Sequence, residues 1–271
     1  MLTHILLAHD LSHEADVALR RAAQLATQHQ ATLTLLHVVE GQHSASAFAS
    51  LRTAAEHVLG ERLATYCHSR AEVRLEAGKP SEVIHQLLGQ GEIDLLVLGA
   101  HHKGRPELFT GTNLDRLARQ SPVPVLLAVN EDDSAYQQAI VALDSSLCSC
   151  NALRHAYELM PVSGHLEAVN IFPLSARLAK KEADERLAIQ RQLIAQMLDD
   201  ESCNLPQPGP QLAHQVLPGT LSATLDEVIA KRQPQLLALG RHNRGVLAQT
   251  LLSSLAQHYL TKPPCDVLVA R

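Results

Sequence analysis

Ile93-Asp94-Leu95-Leu96-Val97-Leu98-Gly99 returns later in the chain as Pro234-Gln235-Leu236-Leu237-Ala238-Leu239-Gly240. Each stretch is a short apolar run closed by glycine, with no polar side to face water, and reads as a strand buried on both faces. Two further echoes flank this one in the same order. Ile5-Leu6-Leu7-Ala8-His9-Asp10-Leu11-Ser12 is matched by Ile140-Val141-Ala142-Leu143-Asp144-Ser145-Ser146, and Pro122-Val123-Pro124-Val125-Leu126-Leu127-Ala128-Val129 by Pro263-Pro264-Cys265-Asp266-Val267-Leu268-Val269-Ala270. Ala18-Leu19-Arg20 and Ala152-Leu153-Arg154 follow the first pair. The offset is nearly constant, 134 from Asp10 to Asp144 and 141 from Gly99 to Gly240. A repeat of this kind decides the architecture: one domain occurs twice, over 1–131 and 137–271, and the divide falls in the polar stretch from Asn130 to Gln138.

Within each copy, apolar runs alternate with amphipathic segments. Strands are expected near 3–9, 32–39, 72–77, 93–99 and 123–129, with helices near 13–29, 45–68, 81–90 and 112–120. The second copy repeats this with strands near 139–144, 165–172, 211–217, 235–240 and 265–270 and helices near 149–160, 175–201, 220–232 and 247–260. Alternation of this kind predicts an α/β fold, with a five-stranded parallel, doubly wound sheet in each half and helices on both faces. Ser12 and Ser81 stand where each can cap a helix. The three prolines and one glycine of 204–210 mark a loop.

Composition narrows the function. Aromatics make up 3% of the chain and Trp is absent, so the core must be built from Leu, Val, Ile and Ala. The net charge of -5 offers no attraction for a phosphate backbone, which excludes nucleic acid as a partner. No apolar run reaches the roughly 18 residues of a membrane span, and the start of the chain reads as a first strand rather than a signal peptide. Five cysteines with no paired spacing read as reduced thiols, and the expected location is the cytoplasm.

Ligands of open parallel sheets bind at the carboxyl ends of the strands, where the winding reverses. Those ends carry Asp10, Val38, Gly78 and Gly99. Gly99 opens a segment through Lys103, Arg105, Gly111 and Thr112 into a helix. Amides at a helix start, beside glycine and a hydroxyl, can hold phosphate. By spacing alone the favoured reading of the segment is a strand-to-helix turn whose glycines supply positive φ, with phosphate binding second to it.

The ordered set of segments resembles a universal stress protein. It comprises a strand closed by Asp10, Leu36-His37-Val38-Val39, the Gly78-Lys79-Pro80 turn, Gly99 and its loop, Gly111-Thr112, Asp115-Arg116-Leu117, and Pro122-Val123-Pro124-Val125. The resemblance covers nearly all of both halves and implies a tandem protein whose two Rossmann-like domains, of the adenine nucleotide alpha hydrolase-like kind, pair about a pseudo-two-fold axis through their last strands. The ATP-binding branch of that family carries a loop of Gly, two residues, Gly, nine residues, Gly, then Ser or Thr. Gly99 and Gly111-Thr112 match it, His102 replaces the second glycine, and the loop is one residue shorter. The resemblance therefore implies an adenine nucleotide site, ATP foremost, formed by Asp10, Val38, Gly99, His102, Gly111, Thr112 and Asn113. In the second half Gly240 and Asp144 are kept, while Asn243 and Ser253-Ser254 replace the other loop positions, and that half reads as degenerate for phosphate.

The expected role is stress response through protein contacts, with unknown protein partners and homodimerisation left open, and with at most weak ATP hydrolysis. Two other classes compete. His9, His13, His101 and His102 with Asp10 have the ligand types of a zinc site, which would make a metal-dependent hydrolase, although His residues on polar loops carry no such meaning by themselves. A scaffold that binds no ligand is the third. Cys148-Ser149-Cys150 opens a helix whose dipole favours a thiolate, against which stands the reading of inert thiols. The charged run 180–186 reads as a solvated helix face.

Overall fold

The computed structural model describes residues 1–41, 44–100, 111–175, 178–241 and 249–271, without the side chains of 111–113, 115 and 249–254. The chain divides into two compact units, Met1–Ala135 and Tyr136–Arg271. The first unit runs β1 (His4–Ala8), α1 (His13–His29), β2 (Thr32–Val39), α2 (Ala45–Tyr66), β3 (Ala71–Ala77), α3 (Pro80–Leu88), β4 (Leu95–Gly99), α4 (Gly111–Gln120) and β5 (Val125–Ala128). The second repeats the order as β6 (Gln138–Ala142), α5 (Leu147–Leu159), β7 (His165–Phe172), α6 (Lys180–Ser202), β8 (Gln211–Pro218), α7 (Leu221–Arg232), β9 (Leu236–Gly240), α8 (Gln249–Thr261) and β10 (Asp266–Ala270).

All strand pairs within each unit are parallel. Their order is β3-β2-β1-β4-β5 in the first and β8-β7-β6-β9-β10 in the second. In the first unit α1 packs on α2, and α3 on α4. Right-handed crossovers put these two pairs on opposite faces of the sheet. The central strands are therefore covered on both sides: Ile5, Leu6, Leu7, Leu96, Val97 and their counterparts Ile140, Val141, Leu237 and Ala238 are all buried.

The repeat extends to single hydrogen bonds. Asp94, just before β4, accepts the backbone N–H groups of Thr3 (2.7 Å) and His4 (3.0 Å). Gln235, just before β9, accepts those of Gln137 (2.6 Å) and Gln138 (3.2 Å) through its amide oxygen. Both side chains tie the start of one central strand to the start of its neighbour. Burial pushes the Asp94 carboxyl up. The hydroxyl and the two N–H donors of Thr3 and His4 more than offset this, and the carboxyl lies below its usual value.

Local chemistry moved some element ends from their expected places. Ser12 caps α1, accepting from the Ala15 N–H at 3.1 Å. Ser81 does not cap α3: the helix starts one residue earlier, with Lys79 at the cap position and Pro80 inside the first turn. Proline suits that place because its φ is already helical and its missing N–H is one the helix would leave unpaired. Ser81 Oγ instead accepts from Arg116 Nη2 of α4 at 3.0 Å. β5 begins only at Val125, since Pro124 has no N–H to give; its carbonyl still accepts from Leu96 at 3.0 Å. α6 begins at Lys180 rather than near 175, after Ala179, which has no side chain to cap it.

Candidate functional site

β1 is paired on one side with β2 and on the other with β4, Ala8 facing Leu36 and Leu98 in register. Chain order reverses here, and in open parallel sheets the carboxyl ends of the strands at such a reversal are where ligands bind. Asp10, Val38 and Gly99 come together at this end of the sheet. Asp10 and Val38 are half-buried. Gly111, Thr112 and Asn113 form the first residues of α4, with their side chains outside the description. His102, His101, Lys103 and Arg105 lie outside the described residues, as does Asn243.

Asp10 leads a tight turn. Leu11 takes a left-handed backbone (φ 68°), which a leucine adopts only at a cost. Asp10 Oδ1 accepts from the Ser12 N–H at 3.0 Å and from the Ser12 hydroxyl. The second half rebuilds the same turn. Ser145 has φ 64°, and Asp144 Oδ1 accepts from Ser146 N–H at 3.1 Å and from its hydroxyl at 2.5 Å. Ser146 then caps α5 through the Ser149 N–H at 3.2 Å. Gly99 lets α1 sit directly on the end of β4: a Cβ there would stand 2.5 Å from the Glu14 carbonyl oxygen. Gly240 meets Ser149 and Cys148 of α5 in the same way. The retained glycine thus has a packing cause in both halves, independent of any ligand.

Beneath the first turn lies a group whose connections the sequence did not disclose. His9 is buried, 3% exposed. Its Nδ1 accepts the Leu11 N–H at 3.0 Å, so its proton resides on Nε2, which donates to Asp16 Oδ1 at 3.1 Å. Arg62 of α2 closes the group, its Nη1 2.9 Å from the same Asp16 oxygen. The His9 carbonyl accepts from His37 Nδ1 at 2.7 Å. Burial pushes the His9 imidazole down to about 4; Asp16 pulls it up, Arg62 pushes it down further and Asp10 pulls it up. His9 is neutral at pH 7 with both nitrogens engaged, and so is not available to a metal. In the second half Leu143 stands at its place, and Asn170 does the work of His37, donating from Nδ2 to the Leu143 carbonyl at 2.7 Å.

His13 is exposed, and among the described residues no group of three or more His, Cys, Asp or Glu could hold a metal ion. Cys148 does open α5, but burial and then the Asp144 carboxylate raise its thiol, with Arg271 partly opposing, so the helix start does not yield a thiolate. Burial pushes Cys265 up to about 12. No helix among the described residues is long and apolar enough to cross a membrane.

Two parallel sheets, each with its order reversed beside a strand-end aspartate turn, define a tandem α/β protein of the Rossmann-like class. The model of the Universal stress protein family matches residues 1–128 and again 135–271, and the chain belongs to that family, with two copies of its domain. A universal stress protein of Mycolicibacterium smegmatis is 23% identical over 98% of this chain and 96% of its own length. A Staphylococcus haemolyticus relative named for the same family is 29% identical over 49% of this chain and 88% of its own. The crystal structure of a universal stress protein from Archaeoglobus fulgidus superimposes with a TM-score of 0.70 at 18% identity, covering 99% of this chain and 98% of that one, which shows the fold.

Proposed function

We propose that the first half binds an adenine nucleotide, ATP foremost, at the carboxyl ends of β1, β2 and β4, and that the protein acts in the cytoplasm by changing its protein contacts when the nucleotide is bound. The observation that carries this reading is the convergence of Asp10, Val38 and Gly99 at the strand-order reversal, with the start of α4 following Gly99 in the chain. Asp10 would accept hydrogen bonds from ribose hydroxyls. The backbone at Val38 would meet the base. Gly99, Gly111, Thr112 and Asn113 would receive the phosphates, whose charge suits free helix amides. The second half keeps the aspartate turn but differs in the phosphate loop, and in this reading its role is structural. Pairing of the two halves and contacts with other proteins belong to the same proposal.

Calorimetric titration of the metal-stripped chain with ATP tests it, with Asp10→Ala, Thr112→Ala and Asp144→Ala alongside. Saturable binding is expected, weakened about 10- to 100-fold by Asp10→Ala, the range for a lost hydrogen bond to a charged group. Asp144→Ala should leave it unchanged. Absence of heat with ATP would leave a ligand-free scaffold, and His102→Gly would then show whether that side chain blocks the loop.

A further inference from the structure

The Asp10 turn is held by two consecutive N–H groups reaching back to the side chains two residues before them. Ser12 N–H goes to Asp10 Oδ1 (3.0 Å), and Leu11 N–H goes to His9 Nδ1 (3.0 Å). The first device is repeated in the second half, at Ser146 and Asp144. The second is not, because Leu143 offers no acceptor. The first half therefore carries an extra support on the turn that bears its ligand-facing carboxylate, and that support is an imidazole that accepts only while neutral.

We infer that His9 is a positioning residue for Asp10, and that acid releases the Asp10 turn by placing a proton on the His9 nitrogen that holds Leu11. A protonated imidazole is a donor at both nitrogens. The Leu11 N–H would then face a second N–H, and the left-handed Leu11, costly in any case, would lose what fixes it. The charged groups around His9 set the threshold. Asp16 on α1 accepts from Nε2, Arg62 on α2 pairs with Asp16, Asp10 belongs to the turn itself, and His37 on β2 reaches the His9 carbonyl. Arg62 draws on the Asp16 charge that would otherwise favour the imidazolium, and burial opposes it further. The turn is thus firm near neutrality. It is released progressively as pH falls from the ordinary histidine range toward about 4, because burial keeps the proton off His9 while its site is closed and an opened site takes it up more readily. The consequence for ligand rests on the nucleotide reading above; the behaviour of the turn does not.

Backbone amide exchange at Leu11 and Ser12, corrected for the intrinsic rate and compared with Leu6 and Leu7 of β1, tests the turn in the full chain from pH 7 to 4.5. ATP titrations over the same range test its consequence. Two variants separate the causes. His9→Asn keeps an acceptor, since an asparagine oxygen reaches the N–H two residues on in an Asx-turn, but it does not titrate. His9→Leu copies the second half. In the native chain the opening constant at Leu11 should rise by up to about tenfold per pH unit between the ordinary histidine value and about 4, with ATP affinity falling as the closed fraction falls. His9→Asn should be flat in both, apart from the nucleotide's own titration. His9→Leu should be open at pH 7, without pH dependence. Equal pH courses in the native chain and His9→Asn would overturn the inference, as would a turn that becomes mostly open in acid with no matching loss of ATP affinity in a chain that binds ATP. If ATP binds at no pH, the nucleotide reading fails and the exchange data decide the role of His9 alone.

Discussion

At the scale of single residues, the turns 10–12 and 144–146 show local strain kept in place by specific bonds. Leu11 and Ser145 both lie in the left-handed region, at φ 68° and 64°. For an ordinary side chain this conformation costs roughly 1–2 kcal/mol. The cost is met by the aspartate that accepts from the serine two residues on and by the same serine capping the helix, a cap alone being worth about 1 kcal/mol. Leu11→Gly should therefore stabilise the chain by about 0.5–1 kcal/mol after the added freedom of the unfolded glycine is deducted, measured as a higher urea midpoint with unchanged slope. A lower midpoint would mean that the half-exposed Leu11 side chain packs against something that outweighs its backbone strain. Ser12→Ala should act in the opposite sense, because it removes both the cap and a donor to Asp10.

At the scale of elements, the close seating of α1 on β4 and the anchoring of the chain after β5 depend on side chains with little latitude. Gly99→Ala would place a methyl against the Glu14 backbone. The helix must then shift, at a cost of about 1–3 kcal/mol, and a circular dichroism melt should show it as a lower Tm. Arg21 is buried on α1, with its guanidinium donating to the carbonyls of Asp132 (2.5 Å) and Ser134 (2.6 Å) and to Gln24 Oε1 (2.9 Å). Arg21→Met keeps the apolar stem but removes these donors, so cleavage within 130–135 by a nonspecific protease should accelerate relative to cleavage elsewhere. The elements themselves were legible in the sequence because two-sided apolar runs and glycine-closed strands can be read without partners. The destinations of charged side chains were not. Asp16, Arg62, Arg21 and Asp94 are unremarkable in a linear pattern, and their roles arise only when distant segments meet. His9 was visible as a histidine in an apolar run beside Asp10, which marked it as a metal candidate. Only the position of the Leu11 N–H shows that its lone pair is already used.

At the scale of the whole molecule, the two halves share a fold and differ in how they should meet acid. Two groups among the described residues of the first half whose proton affinity is clearly lowered, His9 and Asp94, have counterparts in Leu143 and Gln235 that cannot titrate. An unfolded chain protonates histidine below about 6.5, whereas folded His9 does so only below about 4, so folding excludes a proton between these values. Stability contributed by the neutral imidazole is complete above the first value and is lost as pH falls to the second, in total about 3 kcal/mol. Asp94 acts in the same direction at lower pH. Its folded value is depressed, so its contribution is present above the ordinary carboxylate value and lost as pH falls through the folded one. The first half should therefore lose amide protection before the second on acidification from pH 7 to 4. Exchange followed at β1 and β4 against β6 and β9 would resolve this, with His9→Asn narrowing the gap between the halves above pH 4 and Asp94→Asn lowering protection in the first half already at pH 7, where the native carboxylate contributes in full. Loss of protection at the same pH in both halves would mean that these substitutions between the repeats carry no acid sensitivity of their own. Protection lost first in the second half would require a titrating group there that outweighs both.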